Sequence, residues 1–149
     1  MTEQHSHKAE KFTELILQIF RVNGKLVVEG DRLVAPFDQT SSRWRVLGAI
    51  EAEPTSVPVI GRTMGISRQS VQRTADILTN EGLCQFISNP HHQKSPLLKL
   101  TPQGEKILKK IGEIQINWAN RIAESLKEKD IETAAMLLKQ LEQLLGTQD

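Results

Sequence analysis

The stretch that most limits what this chain can fold into runs from Val57 to Leu83, VPVIGRTMGISRQSVQRTADILTNEGL. Its punctuation spells out helix, tight turn, helix. Ser56 stands where it can cap a short helix, Pro58 falls in that helix's first turn, and Ile60 and Met64, four residues apart, share its buried side. Gly65 stops this helix, Ser67 caps the next, and Gly82 supplies the left-handed residue that ends it. At about 100° per residue, Arg68, Gln69, Gln72, Arg73 and Asp76 fall within one arc, and Val71, Thr74, Ala75 and Leu78 within the opposite one. One face of the second helix is core and the other is offered to a partner.

The chemistry of the offered face narrows the partner. Arginine and glutamine make paired hydrogen bonds to guanine O6/N7 and adenine N6/N7, and Arg68, Gln69, Gln72 and Arg73 lie in the first two turns, the part of a recognition helix that enters a major groove. Ser67, Ser70 and the helix N-terminus are suited to phosphates. Asp76 would repel phosphate, so it is expected to pair with Arg73, three residues back. A merely solvated polar face is the plainer reading of an isolated helix, and context decides against it. Residues 57–100 carry five Lys and Arg against two Asp and Glu, whereas the segments before and after each carry seven against eight. A local basic excess on a balanced chain is the footprint of a phosphate-facing surface. Two strand-like runs follow, CQFIS and LLKL, around the turn-rich NPHHQKSP, and predict a β-hairpin. The class expected is mostly α with a small β-wing (α+β), a winged helix-turn-helix.

Outside this lobe the pattern is helical. From Lys8, Phe12, Leu15, Ile16, Ile19, Leu26 and Val27 recur at helical spacing with Asn23 as a polar interruption; Asn23-Gly24 offers a kink and Gly30-Asp31 is expected to end the helix. Thr40, Ser41 and Ser42 offer caps for a helix carrying Trp44, Leu47 and Ile50, closed by Pro54. Thr101-Pro102 opens a long helix with Ile107, Ile111, Ile114, Trp118 and Ile122 on one stripe, and a last helix from Asp130 repeats Ile131, Ala134, Leu138, Leu141 and Leu145. The leucines read as a dimer seam. One domain over 1–149 is expected, with dimerisation helices at 8–30 and 102–146 around a DNA-binding lobe at 41–101.

Other chemistry finds little support. The chain has no long apolar run and no leader-like start, so a cytoplasmic protein with no membrane partner is expected. His5 and His7, and His91 and His92, lack helical i,i+4 spacing or a nearby cysteine, so neither a metal nor any other cofactor is expected. Cys84 is the single cysteine and has no Lys or Arg beside it in sequence, which favours a buried inert thiol over a redox switch. No catalytic motif is recognisable, so an enzyme is not expected.

Four segments carry a resemblance, in one order: GDRLVAPF, SSRWRVLGAI, IGRTMGISRQSVQRTADILTNEGL and NPHHQKSPLLKLTPQG. Together they resemble the MarR (multiple antibiotic resistance regulator) transcription regulators from about Gly24 to Gly104. The resemblance implies a homodimer that binds a pseudo-palindromic operator in double-stranded DNA, a repressor answering to a small-molecule effector held between the dimerisation helices and the DNA-binding lobe. It puts Trp44 on the pocket-lining helix, with Arg32 and Arg43 as candidate contacts for an anionic ligand, though salt bridges to nearby acids suit both equally. The family's wing often carries Asp-x-Arg; His92 and Lys94 occupy the matching positions, and Lys94 meets phosphate without the planar fork that suits a narrow minor groove. The basic residue that often follows the recognition helix is replaced by Phe86. Two alternatives from other classes remain, a winged helix that holds a partner protein and a metal- or redox-sensing regulator.

Overall fold

The computed structural model describes residues 3–146. In chain order the elements are α1 (His7–Val34), a single 3-10 turn (Ala35–Phe37), α2 (Ser41–Ala49), β1 (Thr55–Ser56), α3 (Val57–Met64), α4 (Arg68–Asn80), β2 (Cys84–Ile87), β3 (Leu97–Leu100), α5 (Pro102–Ala123) and α6 (Glu128–Leu145). They divide into two compact units, Met1–Ile111 and Gly112–Asp149.

α1 begins where Ser6 Oγ accepts the Ala9 N–H at 3.1 Å, and it corrects the expected ending. It runs through Asn23-Gly24 and through Gly30-Asp31 to Val34. Gly30 is there for close approach, because a Cβ on it would collide with Ser41 Oγ. Asp31 in turn binds the start of α2: its Oδ1 accepts the Ser41 N–H at 2.7 Å, while Ser41 Oγ donates to the Val27 carbonyl at 2.7 Å. Two groups that would otherwise be orphaned, a first-turn N–H and a buried hydroxyl, are satisfied by the helix they pack on. Helix α1 gives way instead at Ala35 and Pro36, and Asp38 turns the chain with φ 55°.

Thr40 caps α2 by accepting the Arg43 N–H at 3.2 Å. That helix stops one residue before Ile50, and a bend over residues 51–53 separates it from Pro54, so the proline follows the ending without causing it. The wing is three-stranded, not a hairpin alone. β3 pairs antiparallel with β2, Cys84 opposite Leu100 and Ile87 opposite Leu97, and on its other edge with β1, Thr55 opposite Leu98. Ser56 is at the N-cap position of α3 but makes no side-chain capping bond there.

The core of the first unit gathers Val46, Leu47 and Ile50 of α2, Ile60 of α3, Val71, Ala75 and Leu78 of α4, Leu83, Cys84, Leu98 and Leu100 of the wing, and Leu108 of α5. At about 1.5–3 kcal/mol for each fully buried branched side chain, this cluster fixes α4 by its inner face alone. Apolar side chains elsewhere remain exposed: Phe12, Phe20 and Val28 on α1 and, in the second unit, Ile116, Ile131, Met136, Leu138, Leu144 and Leu145. The last helix starts at Glu128, two residues before the expected Asp130. Among the described residues no helix is long and apolar enough to cross a membrane.

Candidate nucleic-acid interface

α4 is held at both ends by its own sequence. Ser67 Oγ accepts the Ser70 N–H at 3.1 Å, which caps the helix and leaves the Ser67 O–H as a donor. At the far end Gly82 takes φ 76°, its N–H reaches the Thr79 carbonyl at 3.1 Å, and the Leu83 N–H reaches the Leu78 carbonyl at 2.9 Å. This paired closure is the Schellman arrangement, and glycine is the residue that tolerates its left-handed position. Thr101 ties the same point to the end of β3: its Oγ1 donates to the Gly82 carbonyl at 2.6 Å and accepts the Gly104 N–H at 3.1 Å, and its own N–H donates to the Leu83 carbonyl at 3.0 Å. Recognition helix, wing and α5 therefore meet at one knot of short bonds.

Val71, Ala75 and Leu78 are buried on the inner face, and Arg68, Gln69, Ser70, Gln72, Arg73 and Asp76 are exposed on the outer one. Arg68, Gln69 and Gln72 line one side of an open groove of about 580 Å³. Val57 and Pro58, at the start of α3, line it too, with Phe86 of β2 and with Lys94, Ser95 and Pro96 of the wing loop. Two cations and two amides, without an acid among them, face a space walled by apolar side chains. The sequence expectation names Arg68, Gln69, Gln72 and Lys94 for this face; Phe86 enters it only as the residue standing where a basic one often follows the recognition helix, and Ser95 and Pro96 carry no signal beyond their neighbourhood.

The wing loop owes its shape to Asn89, whose Nδ2 donates to the Ser95 carbonyl at 2.9 Å while its Oδ1 accepts the His91 N–H at 3.0 Å. His92 is exposed in that turn, its carbonyl accepting the Ser95 N–H at 3.1 Å, and its side chain is not part of the groove lining. Arg73 also lies outside the groove, on the same exposed face of α4.

Asp76 departs from expectation. Its Oδ1 accepts a hydrogen bond from Gln72 Nε2 at 2.9 Å, one turn back, and no Arg73–Asp76 ion pair is present among the described residues. The i,i+4 spacing wins over i,i+3 for this pair.

Arg32, Arg43 and Trp44 do not join the groove. Arg32 Nη2 lies 2.6 Å from Glu29 Oε1, and the hydrogen bond and charge of Glu29 hold its guanidinium above the ordinary value. Arg43 Nη1 bonds Glu81 Oε1 at 2.9 Å and the Asp38 carbonyl at 2.9 Å, a bridge from α2 to the cap of the recognition helix. Trp44 is half-buried against the core. Both arginines thus take the salt-bridge alternative. Cys84 is buried, and desolvation pushes its thiol up to about 12, as an inert core cysteine requires. Among the described residues no three His, Cys, Asp or Glu side chains converge on a metal-sized site.

Short helix, three-residue turn, recognition helix and a three-stranded wing define a winged helix-turn-helix. The MarR family profile matches residues 37–95. The Mycobacterium tuberculosis protein Rv2011c is 34% identical over 118 residues, 79% of this chain and 82% of its own. Among solved structures, a mutant MarR from E. coli complexed with operator DNA superposes with a TM-score of 0.77 at 21% identity, covering 91% of this chain and 99% of that one. CouR from Rhodococcus jostii RHA1, bound to p-coumaroyl-CoA, superposes with a TM-score of 0.77 at 16% identity over 85% and 90% of the two chains. Residues 37–95 place the chain in the MarR family, and solved structures that share its fold are transcription regulators.

Proposed function

We propose that this chain is a homodimeric repressor that binds a pseudo-palindromic operator in double-stranded DNA through α4 and is released by a small-molecule effector. The observation that carries the reading is the outer face of α4: Arg68, Gln69 and Gln72 stand free of the core, in the helix's first two turns, beside Lys94 on the wing. Arginine and glutamine there match the paired donor and acceptor groups of purine edges, and Lys94 matches phosphate. The relative solved with operator DNA supports the class of ligand, and CouR with its bound thioester supports an effector.

Dimerisation is supported by the apolar side chains that α1 and α6 leave in solvent, Phe20 at 69%, Leu144 at 77% and Leu145 at 72% exposure. A second copy is the partner whose burial of them would set two recognition helices about 34 Å apart, one turn of DNA. An effector that favours another separation would release the operator by shifting the population. Any anionic effector using Arg32 or Arg43 has to compete with Glu29 or Glu81.

The test is selection of bound duplexes from a genomic pool with the parent and with Arg68→Ala. The parent should enrich an inverted repeat, and the variant should lose base preference at one position per half-site at a cost of about 1–3 kcal/mol. Equal losses on selected and random DNA would make Arg68 a phosphate contact and refute the reading face.

A further inference from the structure

A glutamine amide is ambiguous as a reader of bases. Its Oε1 and Nε2 are alike in size, and a free side chain turns either outward, offering an acceptor with a donor, or two donors. Gln72 is not free. Its amide lies 2.9 Å from Asp76 Oδ1, and a carboxylate only accepts, so the NH2 must be the end that faces Asp76. One N–H is committed to that bond. What remains for the groove is Oε1 as acceptor and a single N–H as donor.

We propose that Asp76 is the positioning residue of the reading face, locking the Gln72 amide so that it discriminates adenine from guanine. Adenine offers N6–H2 as donor and N7 as acceptor, the complement of the locked amide; guanine offers two acceptors, O6 and N7, and sets one of them against Oε1. An unlocked glutamine could turn both N–H groups toward guanine. Gln72 lines the groove whereas Asp76 does not, so the carboxylate acts through the amide without touching the base. Its charge meanwhile opposes phosphates whatever their sequence. The two roles have opposite signs: Asp76 lowers affinity for DNA in general and raises selectivity for one base.

The inference rests on the DNA-binding reading above and is tested in the full-length protein. Asp76→Ala, Gln72→Ala and the double variant are titrated with the selected duplex, with the same duplex carrying guanine for adenine at the Gln72 position, and with random duplex. Both side chains are exposed, so their truncation leaves the core intact. Asp76→Ala should tighten binding to random duplex while the adenine-to-guanine ratio falls about tenfold. In the Gln72→Ala background, Asp76→Ala should still tighten random binding but leave the ratio unchanged. A ratio that survives Asp76→Ala, or that falls equally whether or not Gln72 is present, would overturn the inference and leave the DNA reading standing. A parent that shows no preference among duplexes would overturn that reading itself, and the inference with it.

Discussion

Gly104 and Gly48 sit in α5 and α2, and the structure predicts opposite outcomes for the same change, glycine to alanine. At Gly104 a Cβ would strike the Leu83 carbonyl oxygen and approach Leu83 C to 3.0 Å and Leu100 Cδ2 to 3.2 Å. The carbonyl cannot swing aside as a side chain would, because it already accepts the Thr101 N–H at 3.0 Å. Overpacking against backbone costs about 1–3 kcal/mol or more, and the gain in helix propensity returns at most about 1 kcal/mol. Gly104→Ala should therefore lose about 1–2 kcal/mol net, which for a chain of this size lowers Tm by roughly 2–8 °C. Gly48 has nothing within 4 Å of the added methyl, so Gly48→Ala retains the propensity gain and should melt at or slightly above the parent. Thermal unfolding followed by circular dichroism, at one fixed protein concentration, reads both. A Gly104→Ala protein as stable as the parent would refute the claim that recognition helix, wing and α5 are closely knotted at this point.

Lys94→Ala should weaken selected and random duplexes alike and reduce the salt slope by about one unit; a loss confined to one sequence would make Lys94 a base contact. Truncation before Ile131 removes Leu138, Leu141, Leu144 and Leu145, and at about 1.5–3 kcal/mol per buried leucine should leave a monomer at micromolar concentration by sedimentation. A stable dimer would place the interface elsewhere. Cys84 remains protonated in the folded chain up to about 12, whereas an unfolded cysteine ionises near about 8.5. The folded state then holds the extra proton, so the thiol's contribution to stability is complete below pH about 8.5 and is lost as pH rises towards 12. Urea unfolding across that window checks the sign against Cys84→Ser, which should lose this part of the decline.

What the sequence made legible was local. Ser67, Gly82 and the alternation of Val71, Ala75 and Leu78 with Arg68, Gln72 and Arg73 lie within one helix, where spacing alone determines direction. What it hid was long-range. β1 is two residues long and owes its existence to β3, about 40 residues later, so no periodicity announces it. Arg43 and Glu81 are 38 positions apart, and nothing near either selects the other. Gly30 looked like a stop signal because a helical glycine is costly; the Ser41 hydroxyl that requires it lies on the next helix. The Asp76 error was of another kind: the charge of Arg73 singled it out at i,i+3, whereas the neutral Gln72 at i,i+4 makes the bond.

The central claim is that the outer face of α4 and the wing hold DNA and not a protein partner. Its most direct test is a titration of the full-length chain with an operator-length duplex across a range of salt concentrations. If each of two lobes brings Arg73 and Lys94 to phosphates while Arg68 reads a base edge, about four phosphates are neutralised and log K should fall with log salt at a slope of about −3.6. A slope shallower than about −1 on every duplex offered would contradict the account and return the winged helix to the reading in which it grips another protein.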